Sequence, residues 1–74
     1  MVRAITAAGD MDALPIGSII AMSKFGVTMN TALKTEADNW ALAGQVRKYT
    51  TEKLHTIATD RDDYEMTIIY EAAP

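Results

Sequence analysis

The sequence contains no cysteine, and its 74 residues include a single histidine, His55. The lack of cysteine excludes disulfides and cysteine-based zinc sites. With one histidine, a zinc ion would have to take carboxylates as all of its other protein ligands, which is unusual. We therefore predict that the chain has no metal site.

Long hydrophobic runs are missing as well. The most apolar stretch, residues 13–22, is interrupted by Pro15, Gly17 and Ser18. It is far shorter than the ~20 apolar residues that span a bilayer. The first residues also lack an apolar segment of signal-peptide length before Gly9 and Asp10. These features predict a soluble, cytoplasmic protein with no membrane partner.

Motifs of catalysis and of nucleotide binding are absent too. Glycines are few and scattered, at positions 9, 17, 26 and 44, so the sequence has neither a P-loop nor a dinucleotide-binding fingerprint. No G-x-S-x-G segment accompanies the serines, and only His55 could serve as a conventional base. We predict that the protein is not an enzyme, has no catalytic residues and binds no cofactor.

What the sequence does contain is enough apolar material for a folded domain. Its hydrophobic content of 49% is too high for a disordered chain. A chain of this length forms one domain, residues 1–74, whose small core supplies only ~3–5 kcal/mol. Because no disulfide can add to that, we expect stabilisation by association with a second copy, as a homodimer or other homo-oligomer, or with a partner protein.

Charge is concentrated in one short segment. The net charge is −3, and residues 60–65 alone hold four acids and one base, so the rest of the chain is neutral. We call the four acids the acidic patch: Asp60, Asp62, Asp63 and Glu65. Their spacing lacks the glycine and the distal glutamate of an EF-hand. A solvated turn is the simpler interpretation, and a mimic that blocks a basic site on another protein is the other.

A smaller basic patch is formed by Arg47, Lys48 and Lys53, with His55 and Tyr49 nearby. Proteins that bind nucleic acid normally carry a basic surplus that neutralises phosphates. This chain has an acidic balance, so nucleic acid is not the expected partner. A nucleic-acid-binding module that uses residues 47–53 remains the alternative function.

Strand patterns dominate the chain. Residues 26–34 alternate most clearly, with the side chains of Val27, Met29, Thr31 and Leu33 on one face. Further strands are predicted at 2–5, 16–23, 39–44 and 64–72, and residues 45–49 are either a continued strand or a loop. Short helices are predicted at 7–13, after an N-cap at Thr6, and at 51–59, after Thr50 or Thr51.

This order predicts an α+β fold. It would contain a small antiparallel sheet of about four strands, in which a β-meander is followed by a helix and a final strand, with one or two short helices. A half-open barrel is the alternative form of the same sheet.

Three apolar residues are candidates for a protein interface. Trp40 shares a face with Leu42 and is either a core anchor, the favoured interpretation, or an interface hot spot. Ile19 and Ile69 are predicted to point away from the core, and two such neighbours would form an apolar association patch. The alternative is that Val2, Ile5 and Met11 cover them. Besides this face, the edge of the final strand is a candidate for pairing with another strand.

The segment D-A-L-P-I-G-S-I-I at 12–20 resembles the "LDALPVGS" opening of small accessory proteins encoded by actinobacteriophages, mycobacteriophages in particular. Trp40, the helix start T-E-K-L at 51–54 and the closing segment 67–74 follow in the order found in those proteins. Their second strand often holds a tryptophan, where this chain reads V-T-M-N at 27–30. Those proteins are mostly without a known activity, so the resemblance implies a viral origin and the host cytoplasm, and no catalytic residues. Together with the small core and the outward apolar residues, it leads us to expect an accessory protein that binds itself or a host protein.

Overall fold

The computed structural model describes residues 3–73 of the chain, so Val2 of the predicted first strand and Pro74 lie outside the described residues. Six strands and two α-helices follow one another, and the second helix continues into a π-helical turn at Ile57–Arg61. In chain order the elements are β1 Arg3–Ala4, α1 Ala8–Asp12, β2 Ile19–Lys24, β3 Val27–Glu36, β4 Asn39–Leu42, β5 Lys48–Thr50, α2 Thr51–Thr56 and β6 Glu65–Tyr70.

The strands form one open antiparallel sheet in the order β1-β6-β2-β3-β4-β5. The α+β prediction is confirmed, and the sheet does not close into a barrel. The predicted meander is present as β2, β3 and β4, and residues 48–50 extend it by one short strand. The final strand, however, does not follow β5. The α2 segment carries the chain back across the sheet, and β6 inserts between β1 and β2.

Both helices lie on one side of the sheet, which we call the inner face. Met11 from α1 and Leu54 from α2 pack with Ala58 of the π-helical turn against the strands. The strand side chains of this core are Ile20, Met22, Ala32, Trp40, Met66 and Ile68. The molecule is thus a two-layer fold in which only one face of the sheet is covered by helices.

Around Leu33, the strand β3 turns the less hydrophobic of its two alternating faces toward the core. Ala32 and Lys34 point inward and are buried, whereas Leu33, between them, is 42% exposed. Hydrophobicity alone would have turned the face of Leu33 inward. The register instead follows the contacts that the Lys34 side chain makes with α1.

Lys34 is a buried cation that joins the sheet to α1. Its Nζ donates hydrogen bonds to three backbone carbonyl oxygens, those of Met11 at 3.2 Å, Asp12 at 2.9 Å and Leu14 at 2.8 Å. These carbonyls lie at the C-terminal end of α1, where free carbonyls carry partial negative charge and a cation is favourable. The same Nζ lies 5.8 Å from the ring centroid of Trp40. All three ammonium donors therefore have acceptors, which makes burial of the charge tolerable.

The starts of the two helices differ in how well the sequence predicts them. Thr50 is the N-cap of α2, and its Oγ1 accepts from the Lys53 amide at 3.3 Å. The predicted N-cap at Thr6 is wrong, because Ala7 occupies that position in α1. Here the Asp10 carboxylate accepts from the backbone amides of Thr6 and Ala7 and from the Thr6 hydroxyl. A carboxylate one turn into the helix replaces the expected hydroxyl cap.

The turn between β2 and β3 holds an exposed phenylalanine in a strained backbone conformation. Phe25 and Gly26 both have positive φ, 54° and 77°, as a two-residue type I′ hairpin requires. We expect Phe25→Asn to raise the free energy of unfolding by about 1 kcal/mol, because asparagine tolerates this conformation and Phe25 is 93% exposed. Urea unfolding measures the change. A loss of stability would contradict it.

Candidate interaction surfaces

The side of the sheet that faces away from the helices carries an apolar, uncharged centre. Leu33 of β3 lies between Ile19 of β2 and Ala41 of β4 in the strand register. The neighbouring row places Ala21 opposite Thr31 on one side and Thr67 on the other. We call this surface the outer face and define it by Ile19, Ala21, Thr31, Leu33, Ala41, Thr67, Ile69 and Tyr70.

Ile19 and Ile69 are neighbours on this face. Ile19 pairs with Tyr70 and Ile20 pairs with Ile68, so Ile69 is the extra residue of a β-bulge opposite Ile19. Ile69 is 48% exposed. Ile5 and Met11, which the sequence offered as a possible cover, belong to the core on the inner face instead. The outer face is therefore left uncovered by the described residues 3–73.

Charged side chains stay at the rim of the outer face. Lys48 pairs in register with Ala41, so it points to this side at the β5 edge, and its Nζ lies 3.6 Å from a Glu36 carboxylate oxygen. Glu65 pairs with Ser23 at the opposite corner. Among the described strand residues, these three are the charges on this side. An apolar centre with a polar rim is typical of protein interfaces.

The edges of the sheet offer little for strand pairing. The edge strand β5 has three residues, and the described part of the other edge strand, β1, has two. Short edges are a common protection against pairing with other chains. The expectation that the final strand has a free edge is wrong, because β6 pairs with β2 on one side and with β1 on the other. The face, rather than an edge, is the open surface of this sheet.

Trp40 belongs to the core and is not available to a partner. It is fully buried, and its Nε1 donates to the Thr51 Oγ1 at 2.9 Å. This agrees with the core interpretation that the sequence favoured and is against its role as an interface residue. The bond links β4 to the first residue of α2, so Trp40 fixes the helix on the sheet.

The three residues of the basic patch do not form one surface. Lys48 points to the outer face and is paired with Glu36, whereas Lys53 lies on α2, on the inner side. Arg47 is exposed in the segment between β4 and β5. Because the sheet separates Lys48 from Lys53, the geometry gives phosphates no continuous basic track.

The acidic patch lies beside a cleft that the sequence did not reveal. This cleft, of about 230 Å³, opens between the π-helical turn and the inner face of the sheet. It lies at the end that holds the β2–β3 turn, which we call the hairpin end. Met22, Leu42 and Leu54 contribute apolar lining, and Asp62 of the acidic patch lies on its wall. Such a cleft depends on how α2 crosses the sheet, which local patterns in the sequence do not specify.

Residues 3–73 contain no group of three or more histidine, cysteine, aspartate or glutamate side chains arranged to hold a metal ion. In the same residues, every buried side-chain nitrogen and oxygen has a hydrogen-bond partner. No helix of the described structure is long and apolar enough to cross a bilayer. The outer face and the cleft are the candidate interaction surfaces of the described residues.

Comparison of the chain with protein-family models, with curated proteins and with solved structures finds no match.

Proposed function

We propose that this chain is a non-catalytic binding protein that associates with a second copy of itself through the outer face. The observation that carries the proposal is the row of Ile19, Leu33 and Ala41 across three strands, with Ile69 beside it, left uncovered on a sheet whose other face is packed. Large contiguous apolar patches on small proteins usually mark association surfaces.

The charge of the face favours a second copy as its occupant. Because the centre carries no charge, two identical faces meet without repulsion there. A two-fold axis also makes such a face complementary to itself.

The test is sedimentation equilibrium of the wild type and of Leu33→Lys. The wild type should change from the 8.1 kDa chain mass to twice that value between about 1 µM and 1 mM, the range in which weak interfaces dissociate. We expect Leu33→Lys to weaken the dimer by at least about 100-fold. Each protomer adds one charge, and the two-fold symmetry brings both charges into the apolar centre of the interface.

Ile69→Lys should act in the same direction, and Val46→Lys is the matched control. Val46 is also an exposed apolar residue, but it lies in the segment between β4 and β5, outside the outer face. A wild type that remains monomeric at 1 mM would overturn the proposal, as would a dimer that Leu33→Lys and Ile69→Lys leave intact.

The same proposal includes the accessory role that the resemblance implies. A small protein that lacks a catalytic motif and presents one open apolar face is suited to binding rather than to chemistry. We propose that it acts in this way as a phage-type accessory protein in the host cytoplasm.

A further inference from the structure

One row of side chains crosses the outer face over four strands. Ile19 of β2 is paired with Tyr70 of β6 on one side and with Leu33 of β3 on the other. Leu33 is paired in turn with Ala41 of β4. Residues that pair directly point to the same side of a sheet, so these four side chains lie together on the outer face. Because neighbouring strands are ~4.8 Å apart, the row is about 14 Å long.

The two ends of this row differ in height. At the β6 end, the bulge sets Ile69 beside Tyr70, and these side chains are 48% and 56% exposed. We call this pair the ridge. At the β4 end the side chains are small, and Ala41 and Ala43 line, together with Leu33, a shallow groove of about 300 Å³. The outer face therefore carries a ridge on one side and a groove on the other.

A two-fold dimer of outer faces can place the row in two ways, since sheets that pack in the aligned manner keep their strand directions within about 30°. In the first, the axis runs across the strands along the row, and each residue meets its own copy. The two ridges then collide, and both grooves stay empty. Lys48, which follows Ala41 in the row, would meet Lys48 of the second copy, and two ammonium groups would be brought together.

In the second arrangement, the axis runs along the strands, above the gap between β2 and β3. It reverses the row, so Tyr70 meets Ala41 of the second copy and Ile19 meets Leu33. A large side chain then lies opposite a small one, which fills space without overlap. The two Lys48 side chains lie on opposite sides of the interface, five strand spacings or about 24 Å apart across the strands.

We propose that the dimer adopts the reversed arrangement, in which the ridge of each copy fills the groove of the other. This inference rests on the self-association proposed above and specifies how the two faces meet. Each groove is a site that only the second copy completes, by contributing the ring of Tyr70. A buried aromatic anchor in such a groove is how many interfaces obtain most of their affinity.

Exchanging the large and the small side chain tests the arrangement by sedimentation equilibrium. Tyr70→Ala should weaken the dimer at least about tenfold, because the groove loses its anchor. Ala41→Tyr should weaken it as much, because two tyrosines would overlap. The combined variant should return to within about threefold of the wild type, since ridge and groove have only changed places. Val46→Tyr, which adds the same ring outside the face, is the control and should change nothing.

Cross-linking tests the same arrangement without a change in packing volume. The chain has no cysteine, so introduced thiols react alone. A bismaleimide that reaches about 10 Å, the separation of packed sheets, should link Tyr70→Cys to Ala41→Cys in a mixture of the two variants, one of them labelled with ¹⁵N. Neither variant should be linked to its own copy, because the identical thiols lie more than about 14 Å apart across the strands.

The outcomes separate this arrangement from self-association itself. A wild type that stays monomeric at 1 mM overturns both proposals. A dimer in which Tyr70→Cys or Ala41→Cys is linked to its own copy, and not to the other variant, overturns the reversed arrangement and leaves self-association standing. A combined variant that dimerises no more tightly than Tyr70→Ala or Ala41→Tyr does the same.

Discussion

Replacing Lys34 with methionine is expected to lower the free energy of unfolding by about 3 kcal/mol, because it removes one partner of a buried charge-assisted network. Methionine has nearly the same length and remains apolar, so the volume of the site hardly changes. The carbonyl oxygens of Met11, Asp12 and Leu14 lose the ammonium that joins them. Water cannot replace it without opening the contact between α1 and the sheet.

Urea unfolding at a fixed protein concentration measures the loss, since self-association would otherwise contribute to the apparent stability. Lys53→Met is the control, because Lys53 is exposed on α2 and its replacement should change the stability by less than about 0.5 kcal/mol. Hydrogen exchange should show that the amides of α1 lose protection first in Lys34→Met. Equal stabilities of the two variants would show that the buried cation does not hold α1 on the sheet.

Trp40→Ala is expected to unfold the isolated chain. Removing a buried tryptophan costs about 3–5 kcal/mol, which equals the whole stability that a small core supplies, ~3–5 kcal/mol. The indole ring occupies the centre of the core between β4 and α2, and its Nε1 is bonded to Thr51.

Thr51→Val separates the hydrogen bond from the packing. Valine keeps the shape of threonine but leaves the indole N–H buried without an acceptor, at a cost of about 1–3 kcal/mol. Circular dichroism and urea unfolding should thus order the proteins as wild type, Thr51→Val and Trp40→Ala from most to least stable. A folded Trp40→Ala protein with nearly wild-type stability would contradict this account of the core.

Local patterns predicted the elements of this fold well. The caps and first-turn glutamate before Leu54 indicated α2, and the period-2 alternation of residues 26–34 indicated the long strand β3. Both signals lie within a few consecutive residues, because backbone preferences and the alternation of buried and exposed side chains act over that distance. The α+β class followed from their order along the chain.

The arrangement of these elements depended on contacts that are distant in sequence. The orientation of β3 follows the bonds of Lys34 to carbonyls 20 to 23 residues earlier, and no pattern around Lys34 signals them. The placement of β6 between β1 and β2 depends on the path of α2. The prediction that the final strand has a free edge was therefore wrong. Trp40 and Leu42 were correctly expected to share the covered face, because residues two apart in one strand point to the same side of the sheet.

The candidate surfaces, too, could be predicted only where they depend on local patterns. The alternation of side chains along two strands was enough to suggest that Ile19 and Ile69 point away from the core. The pairing of β2 with β6 in the structure places them side by side. Leu33 was not among the candidate residues, because the alternation of its strand does not show which of the two faces is covered. The acidic patch was evident from charge alone, whereas the cleft beside it depended on tertiary packing.

The most direct test of self-association through the outer face is a dilution series with a soluble paramagnetic probe, which broadens the methyl signals of solvent-exposed side chains. If two outer faces meet, the methyls of Ile19, Leu33 and Ile69 should be protected at high concentration and become broadened on dilution. The methyls of Val27 and Val46, which lie outside the face, should be broadened equally at every concentration. Broadening of the Leu33 and Ile69 methyls that is the same from the most dilute to the most concentrated sample would contradict the account.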